Sequence, residues 1–279
     1  MAKSMNNKIL ISLMIIASLF VSGCIGGSEE YKYSEKISGV NVYSDIQLSD
    51  FSGWDELLLI SKDDKTIRQC NLELTAISKS ITHGPEVTIE KNNEGGINPG
   101  IYIHKNSIEI KGRNDAEIMS ACHVFACLAG NITCPGNLNK IHDITSNANR
   151  LNIIRDADMF SGEGFLGYIE LMQYLGKLQT DNFGKDKNFY IYPYAKENGV
   201  CKLLPFENYY QIINETVANQ TENDCNMDGI FLHRSDKNEI KVVGNKIMLY
   251  GDDEHLRNEV IIVSDIILPD LRYNSFYGN

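Results

Sequence analysis

The chain is poor in positive charge. Lysine and arginine number 26 against 37 aspartate and glutamate, giving a formal net charge of −11 at pH 7. A surface this acidic repels phosphate backbones, so a nucleic-acid partner is excluded. The chain has a single long apolar run, ILISLMIIASLFV over residues 9–21. At 13 residues it falls short of the ~20 that a spanning helix needs. The chain also lacks G-x-S-x-G, H-E-x-x-H and any Ser-His-Asp order in a recognisable setting, which removes the common hydrolase and zinc-protease signatures. Cys122, Cys127 and Cys134 lack C-x-x-C spacing and have only His123 beside them, so no metal site and no cofactor are expected there.

The one apolar run sits in a telling context. Lys3 and Lys8 precede it, and Val21-Ser22-Gly23-Cys24 closes it. A basic start, a short apolar core and small residues at the expected cut describe an export signal. A cysteine at the cut resembles the lipobox of prokaryotic membrane lipoproteins. In that family the cysteine thiol carries lipid and the chain is cleaved just before it. The resemblance implies Cys24 as the lipidated mature N-terminus and a signal peptide over residues 1–23. Buried methylenes contribute about 0.8 kcal/mol each, so two chains on one cysteine anchor stably. The competing reading is an uncleaved signal anchor with an inert cysteine. Cleavage leaves 256 residues and a net charge of −13, since Lys3 and Lys8 are lost.

Six cysteines follow Cys24: Cys70, Cys122, Cys127, Cys134, Cys201 and Cys225. An even number outside the membrane permits three disulfides, with Cys201–Cys225 the first pair to expect and the remaining connectivity open. Asn131, Asn214 and Asn219 head Asn-x-Thr sequons and are candidate glycosylation sites of an exported chain.

Residues 24–39 read as a polar tether, with order starting near Val40. Beyond it lies an internal echo. GIYIHK at 100–105 returns as GIFLHR at 229–234. Each copy leads to an apolar strand, a glycine (Gly112, Gly251), a capping residue (Asn114 or Asp115, Asp252 or Asp253) and an amphipathic stretch. The second copy carries an extra SDKNEIKVVG, room for one more strand. Upstream, Glu56-LLLIS and Asn188-FYIYPY read as strands, and residues 63–81 and a stretch from about 207 read as helices. LNIIR at 151–155 is a further strand, and GFLGYIELMQYLGKLQT after it is a helix. The fold class expected is α/β (α+β), built from two similar small strand-helix-hairpin-helix units in tandem. The first unit covers residues 40–148, and the second, with a preceding helix, covers 149–279. The repeated strand–glycine–acidic cap–helix pattern is similar to surface-layer proteins of methanogenic archaea. That resemblance implies a cell-envelope setting and supplies no catalytic residue.

Three local motifs invite chemistry. Gly162, Gly164 and Gly167 fit G-x-G-x-x-G, but six residues, DADMFS, separate them from the preceding strand where a dinucleotide site requires a tight turn. The glycines read instead as a flexible loop and the start of a helix. Asp224, Asn226, Asp228 and Gly229 fit the first half of a calcium loop, yet the twelfth position is Ser235 where a bidentate glutamate belongs. A polar turn into a strand is the expectation. His104 and His233 fall at matching places in the repeat and could line a shared cleft, though exposed positions on the more polar strand face are the expectation. The combined expectation is a lipid-anchored protein on the extracytoplasmic face of a cell membrane, without a readable catalytic activity. Its role would be binding or surface structure, with an envelope protein or a small molecule as partner. The alternatives are a solute-binding lipoprotein of a transporter and an extracytoplasmic hydrolase.

Overall fold

The computed structural model describes residues 31–48, 56–60, 63–93, 96–159, 161–180, 190–204, 221–222, 225–270 and 273–274. The signal segment, Cys24, Asn214, Asn219, Asp224 and the helix expected from 207 lie outside the described residues. The first half runs β1 (Tyr33–Ile37), β2 (Val40–Ser44), β3 (Leu58–Leu59), α1 (Lys65–Ile77), β4 (Glu86–Lys91), β5 (Gly100–Ile103), β6 (Ser107–Gly112), α2 (Asp115–Ala129) and α3 (Asn139–Asn147). The second runs β7 (Arg150–Asp156), α4 (Gly162–Thr180), β8 (Tyr190–Glu197), β9 (Val200–Leu203), β10 (Thr221–Glu222), β11 (Gly229–Arg234), β12 (Glu239–Val243), β13 (Lys246–Gly251) and α5 (Asp253–Ile267). A described strand pair thus lies inside the stretch read as tether, where Ser38 and Gly39 at positive φ close a tight β1–β2 hairpin.

The strands form two mixed sheets, in the orders β1-β2-β5-β6-β4-β3 and β10-β9-β8-β7-β11-β13-β12. The mixed α/β class is as expected. Helix α2 lies on β6 of sheet 1, and α5 lies on β13 of sheet 2. Helix α5 also packs against α1, α2, α3 and α4. The helices make the middle of the molecule with a sheet on either side. One apolar cluster runs through them, from Val42 and Ile110 to Ile153 and Leu249. The two halves thus share a core.

Caps and burial explain the helix limits. The Asp64 side chain accepts from the amides of Thr66 and Ile67 at the start of α1. Asn114 accepts from Glu117 at α2, and Asp252 accepts from Glu254 and His255 at α5. The run VIIVSDII has the β-branched content of a strand, yet it is helical. Residues 258–267 are all buried, so a helix with apolar groups on every face suits a position between a sheet and four helices.

The duplication is real but differently registered from the echo in the sequence. Strands β5-β6-β4-β3 and β12-β13-β11-β7 have the same order and the same senses. In this match α1 corresponds to α4 and α2 to α5, so GIFLHR corresponds to β4 and not to GIYIHK. The extra SDKNEIKVVG supplies β12, the counterpart of β5. Strand β8 is an addition without a counterpart in β3. The six-residue echo has another source, the parallel pairs β2–β5 and β7–β11. Asn41 donates to Pro99 O, and Asn152 donates to Asp228 O, each just before a glycine. A Cβ on Gly100 would lie 2.5 Å from Asn41 O, and one on Gly229 would lie 2.2 Å from Asn152 O. Both glycines hold φ beyond +150°, and only glycine allows so close a strand start. Like residues recur because both strand pairs solve the same close contact.

Candidate functional site

In open α/β sheets the crevice at the carboxyl ends of strands whose connections diverge is the place to look. In sheet 2 that place is the end of β7 and β11: β7 leads through α4 to β8 on one side, and β11 leads to β13 on the other. Asp156 ends β7. Its Oδ1 lies 2.9 Å from His233 Nδ1, and its Oδ2 accepts from the Arg234 amide at 3.0 Å. Burial alone would raise the Asp156 carboxyl, but the hydrogen bond and charge of His233, with the Arg234 amide, outweigh burial and hold it below the ordinary carboxylate value. His233 is 9% exposed and stacks on Tyr250 with ring centres 5.3 Å apart. The Arg234 guanidinium binds Asp253 at 2.9 Å and donates to the carbonyls of Asp158 and Ser161. Together with Ser235, Asp252 and Glu254 it lines a shallow depression at the start of α5.

An aspartate orienting a histidine is half of a general-base device. The other half is missing here. Among the described residues no hydroxyl or thiol hydrogen-bonds to His233, and the six cysteines of the body are all in disulfides. The arrangement ties the ends of β7 and β11 together. His104, at the end of β5, does the same to β2 through Asp45 at 3.0 Å. The two histidines belong to different sheets and pair with separate aspartates.

The other motifs resolve into packing. The three glycines from 162 to 167 let α4 cross α5 closely. A Cβ on Gly162 would meet Asp253 Oδ2 at 2.1 Å, one on Gly164 would meet Asp253 Oδ1 at 3.1 Å, and one on Gly167 would meet Arg257 Cα at 3.1 Å. A carboxylate therefore sits where a pyrophosphate would bind. In the calcium-like turn, Asn226 Oδ1 accepts from Lys246 Nζ at 2.6 Å and Asp228 Oδ2 accepts from Asn245 at 3.1 Å. An ammonium group among the would-be ligands opposes a cation, and Cys225 is bridged to Cys201. Asn131 is exposed, at positive φ just past the end of α2. Cysteines 70 and 122, 127 and 134, and 201 and 225 are the disulfide pairs.

A second polar cluster escapes the motif search. Where α1, α2 and α5 meet, His123 Nδ1 lies 2.8 Å from Glu73 Oε1, and Asp265 acts on the same imidazole. Glu73 is fully buried, Asp265 is 2% exposed and His123 is 8% exposed. Nearby on α5, Glu259 is fully buried, and its carboxyl oxygens make no hydrogen bond. The signal was present in the sequence. A histidine inside ACHVFACLA and acids inside NEVIIVSDII interrupt helices that are otherwise apolar all round.

No protein-family model matches the chain, and no curated protein or solved structure is significantly similar to it.

Proposed function

We propose that this chain is a lipid-anchored protein of the extracytoplasmic face of a prokaryotic membrane, held through Cys24, with a surface-structural or binding role. The observation that carries the proposal is the state of the cysteines. Cys70–Cys122, Cys127–Cys134 and Cys201–Cys225 account for every cysteine after Cys24. Three bridges suit an oxidising compartment and are rare where thiols are kept reduced. Export requires a signal, and the basic start, apolar core and Ser22-Gly23-Cys24 supply one. Among the described residues no helix is long and apolar enough to cross a membrane.

The shared core favours a structural over a receptor role. A solute receptor closes two lobes over its ligand, whereas here the helices of both halves interlock in one apolar cluster. A hydrolase reading gains no support from the Asp156–His233 pair, since among the described residues no hydroxyl or thiol hydrogen-bonds to His233. The test is the full chain expressed in a prokaryotic host. Intact mass should report cleavage before Cys24, added lipid and a gain in mass on reduction of the three bridges. A Cys24→Ser variant should leave the membrane fraction. If it remains there as firmly as the parent chain, the anchor proposal fails.

A further inference from the structure

We infer that the edge of sheet 2 at β12 is a pairing site for a second copy of this chain, kept closed by a strap from the first half. Strand β12 lies last in the order of sheet 2, beside β13. The strap is the stretch that follows α2, closed by the Cys127–Cys134 bridge across 7 residues. Inside it the Ile132 side chain is buried and the Ile132 amide donates to Cys127 O at 2.8 Å, which aims Thr133 at the edge. The Thr133 amide donates to Asn238 O at 2.8 Å, and Thr133 O accepts from the Ile240 amide at 3.0 Å. Both main-chain groups of Thr133 are thus spent on β12. Of the three bridges this one restrains the unfolded chain least, so its place beside the edge matters more than its entropy. An open sheet edge is a template for another chain, and the strap covers one.

The strand matches itself. The Ile240 amide points away from β13, so in an extended strand Ile240 turns both its N–H and its C=O to the outer side. Two copies set antiparallel about Ile240 would exchange those bonds, with a two-fold axis between the facing isoleucines. In that register Glu239 of each copy lies opposite Lys241 of the other. Opposite charges directly across a ladder stabilise it, and like charges oppose it. Such an axis keeps inward residues level with inward residues, so the neighbouring registers centre on Glu239 or on Lys241. Each of those sets like charges face to face. Lys241 is exposed and makes no ion pair among the described residues, so it can serve a partner. Thr133 O occupies the Ile240 amide, the central donor of this pairing. Strap and second copy therefore compete for the same atom.

The experiment compares the full-length chain in detergent with its Cys127→Ala/Cys134→Ala variant by native mass spectrometry. The parent should be a monomer. The opened variant should shift to a dimer at the same concentration. Adding Lys241→Glu to the opened variant sets acid against acid and should return it to a monomer. Adding Glu239→Lys as well restores opposite charges across the pair and should restore the dimer. Thr133→Pro deletes the strap's donor while keeping the bridge, and it should dimerise in the same way, which decides the matter even if the bridge variant does not fold. A parent that is already dimeric, a chain that stays monomeric in both the bridge variant and Thr133→Pro, or a dimer that Lys241→Glu leaves intact overturns the proposal.

Discussion

A carboxyl group without a partner in a protein interior stays protonated if it can. Glu259 is fully buried, and desolvation lifts its carboxyl to about 10, with the nearby Asp252 and Glu239 charges pushing the same way. The weak pull of the Glu239 and Tyr250 backbone groups does not offset this. Between roughly pH 4.5 and pH 10 the folded chain keeps a proton that the unfolded chain releases, so stability falls as pH rises across that window. Glu259→Gln should remove that loss. The variant should match the parent near pH 5 and exceed it at pH 8 by something on the order of 2–4 kcal/mol, read as the gap between two urea-unfolding curves. A parent stability that is flat from pH 5 to pH 8 would show that Glu259 finds a partner after all.

At the scale of elements, two latches of the same design should differ in strength because they differ in burial. Asp156 ties His233 and the Arg234 amide inside sheet 2, where the histidine side chain is 11% exposed. Asp45 ties His104 just past the ends of β2 and β5 in sheet 1, where the histidine is 25% and the aspartate 45% exposed. Asp156→Ala should cost about 2–3 kcal/mol, since it strands a buried imidazole and an amide. Asp45→Ala should cost less than about 1 kcal/mol. Thermal unfolding of the two variants checks the order. How far these elements were legible in the sequence depends on what made them. Helices α1, α2 and α4, the strands β7 and β8, and the caps at Asn114 and Asp252 followed from periodicity and capping chemistry. The β-branched α5 did not stand out, because its burial on every side comes from four neighbouring helices that no local pattern announces. The duplication was visible, but its register was not. Matching residues at Asn41 and Asn152, Gly100 and Gly229 mark a shared backbone contact, while the true counterparts β4 and β11 share only their place in the sheet. The Asp–His pairs were half seen, as two histidines without their aspartates. Those partners lie 59 and 77 residues away, beyond the reach of spacing rules.

At the scale of the whole molecule, the bridges and the shared core make opposite predictions about how the chain comes apart. If the halves were separate bodies, opening Cys201–Cys225 would melt the second half and spare the first. Because one apolar cluster joins Val42 to Leu249 through the helices, the loss should spread to both. Cys201→Ala/Cys225→Ala should therefore lower the midpoint of a single cooperative transition, with amides of β6 and β13 losing protection together. The bridges should also rank by the chain they close. Cys70–Cys122 spans 52 residues, Cys201–Cys225 spans 24 and Cys127–Cys134 spans 7. Loop-closure entropy assigns them about 4, 3.5 and 2.5 kcal/mol in that order. The α1–α2 bridge also lies inside the core, with both cysteines fully buried, so its removal leaves a void in addition to a freer unfolded chain. Pairwise alanine variants followed by calorimetry should give the largest fall for Cys70/Cys122 and the smallest for Cys127/Cys134. Two separated heat-absorption peaks in any of them would mean that the halves fold independently, and the helix layer would then be an interface between two bodies instead of a common core.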